Sequence, residues 1–213
     1  ANREIDLETA QMLKPIFLEI VMAPSFAPDA LELLCTKKNL RVLKVDMSKD
    51  NTVRKQYVSM NGGMLVQDRD INTKPVSAEQ CVTEAKPTAE QLADLEFAWK
   101  IVKHVKSNAI VVAKNGMTYG VGAGQMNRIG SAEIALKQAQ ATLKEEGKDI
   151  MTEGLVLASD GFFPFNDCVA LAAEYGIKAI VQPGGSIRDE DSVNLADEKG
   201  ITMLFTGERH FKH

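Results

Sequence analysis

Residues 107–129 read SNAIVVAKNGMTYGVGAGQMNRI, and this stretch decides the fold. Its first part, 108–113, is an apolar and β-branched run, as expected of a buried strand. The Asn-Gly pair at 115–116 favours a two-residue type I′ turn, and 117–121 is the returning strand. Glycines at positions 120, 122 and 124 follow, just before a helical pattern. The stretch therefore predicts a β-hairpin that delivers a glycine-rich loop to the start of a helix.

Two interpretations of these glycines are open. Backbone N–H groups at glycines and at a helix start can approach an anion or another polar ligand, and Gln125 and Arg128 stand beside that start. Alternatively, the glycines only form a structural turn. A dinucleotide-binding loop is not expected, because G-x-G-x-x-G counted from Gly120 requires a glycine where Gln125 stands.

Strand-like and helix-like patterns alternate along most of the remaining chain. Strands are predicted at 16–22, 41–46, 63–67, 155–158, 179–181 and 201–205. Helices are predicted after a cap at Asp6, at 28–35, at 88–105 with a capping box of Thr88 and Gln91, from Ser131 to about Gly147, at 166–175 and at 189–199. Strands joined by helices imply a layered α/β/α sandwich around a mixed, mostly parallel sheet, to which the hairpin adds an antiparallel pair.

Ligands of such sheets bind beyond the carboxyl ends of the strands. Three loops are expected at that edge, namely 160–165, 183–187 and the tail 206–213. In the first loop, Phe162 or Phe163 could stack on a flat heterocycle, and at least one of its phenylalanines is expected to anchor the core instead. In the tail, Arg209 could hold a phosphate through two hydrogen bonds; a solvated tail is the alternative.

Composition excludes several classes of protein. The chain of 213 residues is 45% hydrophobic and 25% charged, which is ordinary for a globular protein with a buried core. A formal net charge of -4 argues against a general nucleic-acid binder. The three cysteines form no C-x-x-C pair, which disfavours a disulfide framework. No apolar run reaches the roughly 20 residues of a membrane helix, and no export leader precedes the first helix, so a cytoplasmic protein is expected.

Familiar catalytic motifs are absent from the sequence. It contains no G-x-S-x-G elbow, no P-loop lysine and no H-x-E with P-C-x-x-C of a zinc deaminase. Lys103-His104 could be an acid/base pair. A cation and an imidazole near a helix end are, however, favoured by the helix dipole without any catalytic role, and that interpretation is preferred.

Several long motifs resemble one family. Four stretches look like the C-terminal part of the AICAR transformylase region of the bifunctional transformylase/IMP cyclohydrolase family: SNAIVVAKNGMTYGVGAGQMNRIGSAEIALKQA, SDGFFPFND, QPGGSIRDE and FTGERHFKH. The resemblance extends over essentially the whole chain through REIDLETA and NGGMLVQDRD. The resemblance implies formyl transfer from 10-formyltetrahydrofolate to AICAR in de novo purine biosynthesis. It also implies a cytidine-deaminase-like fold without zinc, and a homodimer with active sites at its interface.

The same resemblance implies roles for individual residues. Asn108 is expected to be catalytic. The expected AICAR contacts are Glu19, Asn108, Phe162 and Arg209, and Glu19 stands where other members carry aspartate. The expected folate contacts are Met126, Asn127, Arg128, Ile129, Pro164, Asp167, Ser186 and Ile187. A potassium ion is implied near Ser107 and Asp160.

One departure from the family pattern affects the expected activity. The family's catalytic Lys-His pair belongs to a K-H-V motif in the first transformylase subdomain, whereas Lys103-His104-Val105 aligns with the helix before Asn108. Residues 1–50 are therefore expected to end the first subdomain, 51–87 to connect, and 88–213 to form the second. A partial enzyme without the Lys-His pair and the cyclohydrolase domain is expected to be inactive alone. The alternative is an inactive folate- or nucleotide-binding or dimerisation fragment.

Overall fold

The computed structural model describes residues 1–46, 55–71 and 74–212. These residues form two compact units, Ala1–Ile71 and Asn72–His213. The boundary between the units lies inside the predicted connecting segment 51–87. Residues 47–54, 72–73 and 213, which belong to the predicted first subdomain, connecting segment and tail, lie outside the described residues.

The first unit contains the predicted strand-helix-strand arrangement. Helix α1 (Leu7–Leu13) begins after Asp6, whose carboxylate accepts a hydrogen bond from the Thr9 N–H at 2.8 Å, so the predicted cap is confirmed. Strands β1 (Ile20–Ala23) and β2 (Arg41–Lys44) pair in parallel on either side of α2 (Pro28–Cys35) in the sequence. A hairpin of β3 (Lys55–Met60) and β4 (Gly63–Asp68) follows.

The second unit contains the β-hairpin predicted from residues 108–121. In chain order its elements are a 3-10 helix (Ala78–Gln80), α3 (Ala89–Val102), β5 (Ile110–Lys114), β6 (Met117–Gly122), α4 (Arg128–Glu145), α5 (Ile150–Glu153), β7 (Val156–Ser159), α6 (Asp167–Glu174), β8 (Ala179–Gln182), α7 (Asp189–Lys199) and β9 (Thr202–Phe205). The turn between β5 and β6 has positive φ at both Asn115 (51°) and Gly116 (68°), which confirms the predicted type I′ geometry.

The five strands of the second unit form one sheet in the order β6-β5-β7-β8-β9. Strand β5 is antiparallel to both of its neighbours, whereas β7, β8 and β9 are parallel to one another. Strand β6 therefore also runs in the direction of β7, and only β5 is reversed among these five strands. The predicted mixed sheet is confirmed, and two of its four strand pairings are parallel.

Side chains along β5 alternate between two buried cores. Ile110 and Val112 face a core that contains α4, α6 and α7, and Val111 and Ala113 face a second core that contains α3. All four side chains are fully buried. Helices on both faces explain why β5 reads as a continuous apolar run, and they confirm the predicted α/β/α layering.

Two glycines of the loop serve helix packing. A Cβ on Gly120 would lie 1.8 Å from the Ala135 carbonyl oxygen, and one on Gly122 would lie 1.9 Å from the Ser131 carbonyl oxygen. Helix α4 therefore lies directly on β6, and these two glycines are strand residues that permit the close approach and do not form the structural turn considered from the sequence.

The predicted start of α4 at Ser131 is wrong. The helix begins at Arg128, because the Asn127 side chain caps it by accepting a hydrogen bond from the Gly130 N–H at 2.8 Å. Ser131 is instead buried within the helix, and its hydroxyl donates to the Asn108 carbonyl oxygen at 2.7 Å. This earlier start brings Arg128 into the first turn of the helix.

Candidate functional site

Strand directions gather the predicted loops at one edge of the sheet. Because β5 runs opposite to its neighbours, its first residues lie beside the carboxyl ends of β6 and β7. The Gly207 N–H donates to the Pro183 carbonyl oxygen at 2.9 Å, and the His210 N–H donates to the Asp160 carbonyl oxygen at 3.0 Å. The three loops predicted at this edge are therefore neighbours, and the prediction is confirmed for their described residues.

A cleft of about 340 Å³ opens at this edge. Its lining residues are Asn108, Met126, Asn127, Arg128, Phe162, Pro164 and Phe211. Six of the seven were singled out from the sequence. Phe211 was missed, although it stands two positions after Arg209, and alternate residues of an extended tail point to the same side.

The side chain of Arg128 forms the buried floor of the cleft. Its guanidinium makes an ion pair with Asp160, donates to the Ser159 hydroxyl at 3.0 Å, and donates to the Asn108 side-chain oxygen at 3.0 Å. Asp160 is fully buried and Arg128 is 9% exposed. A charge pair removed from water to this degree persists only when its remaining hydrogen-bonding groups are satisfied, as they are here.

The orientation of the Asn108 side chain follows from its partners. Arginine can only donate, so the atom that faces Arg128 is the amide oxygen. The amide nitrogen donates to the Gln125 carbonyl oxygen at 2.9 Å, and a carbonyl can only accept. The two contacts agree, and they leave the second amide hydrogen of Asn108 for another acceptor at the cleft.

Asp160 connects four segments of the second unit. Its carboxylate accepts hydrogen bonds from the Ser107 hydroxyl and from the Ala109 N–H, in addition to the Arg128 guanidinium. Ser107 also accepts a hydrogen bond from the Lys212 N–H at 2.9 Å. The predicted pair Ser107 and Asp160 is therefore in direct contact, and the charge of Asp160 is balanced by Arg128.

Phe162 and Phe163 of the 160–165 loop differ in how deeply they are buried. Phe163 is fully buried in the core formed with α4 and α6, which confirms the expected anchoring role for one of them. Phe162 is half-buried, and the Arg209 guanidinium lies 4.7 Å above its ring centroid. A cation over an aromatic face at this distance is a favourable contact. The tail thus places an exposed positive charge directly beside the cleft.

The other predicted folate residues lie around this edge but are not among the residues that line the cleft. Asp167 accepts a hydrogen bond from the Cys168 N–H at 2.8 Å in the first turn of α6, and the Ser186 hydroxyl accepts one from the Arg188 N–H at 3.1 Å. Ile187 is fully exposed, and Ile129 packs against the core beneath α4. Glu19 belongs to the first unit, where it is exposed.

Three residues with potential reactivity, Lys103, His104 and Cys168, have structural positions. Lys103 is the C-cap of α3, and the His104 carbonyl oxygen accepts a hydrogen bond from the Lys212 side chain, as expected for a helix end. Burial raises the pKa of the Cys168 thiol to about 12, so this cysteine is not a nucleophile near neutral pH.

A larger depression, about 490 Å³, lies at the other end of α4. It is lined in part by Lys137 and Lys148, which are exposed and already paired with Glu133 and Glu146. Solvated pairs of this kind contribute little binding energy. The smaller cleft at the strand edge is the better candidate because buried polar groups converge on it.

The described ranges 1–46, 55–71 and 74–212 contain neither a candidate metal cluster nor a membrane-spanning helix. No group of three or more His, Cys, Asp or Glu side chains in these ranges could hold a metal ion. None of the helices in the same ranges is both long and apolar enough to cross a bilayer.

Fold and site together define a layered α/β protein with a cleft lined by converging polar side chains at the carboxyl edge of its sheet. Residues 1–138 match the family model described as AICARFT/IMPCHase bienzyme. The chain belongs to this AICARFT/IMPCHase family.

Named relatives agree with the family assignment. A protein of Anoxybacillus flavithermus called bifunctional purine biosynthesis protein PurH is 57% identical over 212 residues, which cover 100% of this chain and 40% of the relative. A protein of the same name from Lactobacillus delbrueckii subsp. bulgaricus is 56% identical over 214 residues with the same two coverages. The chain thus spans 40% of the length of these curated relatives.

Similarity to solved structures is weak. A guanine deaminase from Nitrosomonas europaea superposes with a TM-score of 0.39 and 19% identity, over 60% of this chain and 81% of that one.

Proposed function

We propose that this chain forms part of the site that transfers a formyl group from 10-formyltetrahydrofolate to the amine of AICAR in de novo purine biosynthesis. Membership of the AICARFT/IMPCHase family supports the reaction class. The observation that carries the proposal is the convergence of Arg128, Asn108, Phe162 and Arg209 on one cleft. These side chains supply what a flat, anionic nucleotide and a carbonyl donor require.

The nucleotide is proposed to lie against Phe162 and Arg209. An aromatic face suits the imidazole ring of AICAR, and an exposed guanidinium suits its phosphate, which it can bind through two parallel hydrogen bonds. The folate is proposed to lie toward Met126 and Pro164, whose apolar side chains are exposed at the cleft.

Asn108 is proposed to act on the formyl group. When the AICAR amine attacks the formyl carbon, negative charge develops on the formyl oxygen, and collapse of the tetrahedral intermediate breaks the bond to the folate nitrogen. The second amide hydrogen of Asn108 is positioned by Arg128 and by the Gln125 carbonyl, so it can be directed at that oxygen without reorganisation.

The groups that transfer protons in the reaction are proposed to lie outside these 213 residues. The family's K-H-V motif is not matched in register by Lys103-His104-Val105, and the structure places Lys103 at the end of α3. The chain alone is therefore proposed to bind both ligands without turnover. Turnover by the purified chain at the rate of a full-length relative would contradict this part of the proposal.

Calorimetry with AICAR and, separately, with folic acid tests the proposed ligands. Arg209→Ala is expected to weaken AICAR binding roughly 10-fold or more, because a hydrogen bond to a charged group contributes about 1.5–3 kcal/mol. Lys199→Ala is the matched control, since it removes one exposed positive charge from the end of α7 that lies away from the cleft. Equal affinities of the two variants, or no heat with the wild-type chain, would count against the site.

A binding or dimerisation role is the second candidate. Met126 and Ile187 at the strand edge have almost completely exposed apolar side chains, which contact with a second copy of the chain would cover. We propose a homodimer with the active site at its interface. Sedimentation of the chain across a range of concentrations tests it, and a monomer at all concentrations with unchanged AICAR affinity would exclude a role of the dimer in binding.

Four further properties are part of the proposal. The fold is proposed to be a cytidine-deaminase-like arrangement without zinc, and the protein to be cytoplasmic, with neither nucleic acid nor a membrane as a partner. Potassium is proposed to bind near Ser107 and Asp160 on the family resemblance alone, because the Asp160 carboxylate is already paired with Arg128. Metal analysis tests the absence of zinc. Thermal unfolding in KCl compared with LiCl tests potassium, and equal midpoints would contradict the potassium site.

A further inference from the structure

The tail after β9 contains one inward-facing side chain between two outward-facing ones. His210 is 3% exposed, whereas its neighbours Arg209 and Phe211 are exposed at the cleft. Among residues 206–212, all of which are described, His210 is the buried one. This alternation is what an extended segment produces when it lies along a surface.

The His210 ring packs against Trp99 of α3. Their ring centroids are 4.6 Å apart and the rings are tilted by 55°. Tilted aromatic pairs at this distance are attractive, because the positive edge of one ring faces the negative face of the other. Trp99 is itself only 4% exposed and belongs to the core that contains Leu95 and Val102, so its position is fixed by the helix and the sheet.

Hydrogen bonds on both sides of His210 continue the tail across the strand edge. Its own N–H donates to the Asp160 carbonyl oxygen at 3.0 Å. Two residues later, Lys212 exchanges hydrogen bonds with Ser107, which lies beside the catalytic candidate Asn108. These bonds set the register of the tail, but most of the tail is exposed to water, where each such bond contributes little.

We propose that the contact between Trp99 and His210 is the anchor that docks residues 206–212 across the strand edge and thereby positions Arg209 and Phe211 at the cleft. His210 is a positioning residue in this account, because its ring faces α3 and not the cleft. Its burial fixes the backbone on both sides of it. That backbone places the Arg209 guanidinium over Phe162 and places Phe211 in the cleft wall.

The anchor has a direct spectroscopic reporter. Trp99 is the single tryptophan of the chain, so its fluorescence reports the contact with His210 without any label. His210→Ala is expected to shift the emission to longer wavelength and to raise acrylamide quenching roughly twofold or more, because water reaches the indole. His210→Phe keeps an aromatic ring against Trp99 and is expected to keep the wild-type emission.

The rate at which trypsin cleaves the tail provides a second test of the anchor. Cleavage after Arg209 is expected to become faster in His210→Ala and to remain slow in His210→Phe, because an anchored segment does not fit a protease site. Leu143→Ala, in the core that does not contain Trp99, serves as the control for a general loss of stability. If emission and cleavage in His210→Ala match those of the wild type while circular dichroism is unchanged, the anchor does not exist.

Positioning of Arg209 is tested by a double-mutant cycle on AICAR binding, and only this arm rests on the proposed function. His210→Ala is expected to weaken binding roughly fivefold or more, and to have less than about a twofold effect when Arg209 is already alanine. Full additivity of the two changes would overturn the positioning role. If the wild-type chain binds no AICAR, the proposed function fails, and the fluorescence and cleavage results still decide whether the anchor is present.

Discussion

Replacing Asp160 by asparagine should remove a large part of the stability of the second unit. The carboxylate is fully buried and accepts hydrogen bonds from Arg128, Ser107 and the Ala109 N–H. An asparagine has the same shape but no charge, and its amide nitrogen must face at least one of these donors. Arg128, which is 9% exposed, would then keep its positive charge in the interior without compensation.

The expected cost follows from the burial of both groups. Removing one partner of a buried pair costs about 3–5 kcal/mol, and a whole domain is stable by only about 5–15 kcal/mol. For a unit of this size the unfolding midpoint should fall by roughly 6–20 °C. Asp191→Asn is the matched control, because it breaks an exposed pair with Arg188 and should cost less than about 1 kcal/mol.

Trp99 fluorescence during urea unfolding measures the effect, since this residue lies in the core of the second unit. A double variant that also carries Arg128→Met should recover part of the loss, because the uncompensated charge is gone. The reasoning is refuted if Asp160→Asn and Asp191→Asn have equal free energies of unfolding, or if the double variant loses the full sum of its two single changes.

Three other expected outcomes concern single positions. The pKa of Cys168 is raised from 9.0 to about 12, so the folded state holds the thiol proton at a pH where the unfolded state releases it. The free energy of unfolding should therefore fall as the pH rises from about 9 toward 12. Cys168→Ala should reduce this dependence on pH in urea titrations. Gly122→Ala should prevent α4 from packing on β6 and reduce the helical circular dichroism signal, since the added Cβ would lie 1.9 Å from the Ser131 carbonyl oxygen. Gly63→Ala is the control: its Cβ would have nothing within 4 Å, so the spectrum should not change. Thr88→Ala removes the capping box of α3 and should cost about 1 kcal/mol by urea unfolding; no change would show that the cap contributes nothing here.

Local sequence patterns were sufficient to predict features that depend on interactions between residues close in the sequence. The Asn-Gly turn, the capping box at Thr88 and the cap at Asp6 depend on hydrogen bonds or backbone angles within a few residues. All three were predicted and are present. The hairpin β3–β4 was predicted only as one strand at 63–67, because residues 55–60 (KQYVSM) show no strict alternation of polar and apolar residues.

Glycines illustrate where local patterns are insufficient. At Gly120 and Gly122 the sequence suggested either a ligand loop or a structural turn, and only the distances to the carbonyl oxygens of α4 show that they serve helix packing. The same limit applies to Ser131, which has the side chain of a helix cap but lies one turn inside the helix. Asn127 caps the helix instead, because its own backbone is extended there.

The sequence by itself determined the type and order of most elements, the layered α/β class and, through its motifs, six of the seven residues that line the cleft. Only the tertiary structure decided that Arg128 turns inward to Asp160, that Arg209 lies over Phe162, and that His210 docks on Trp99. The physical reason is distance along the chain. Each of these contacts joins residues more than 30 positions apart, and their geometry exists only after the reversed strand β5 has brought five segments to one edge of the sheet.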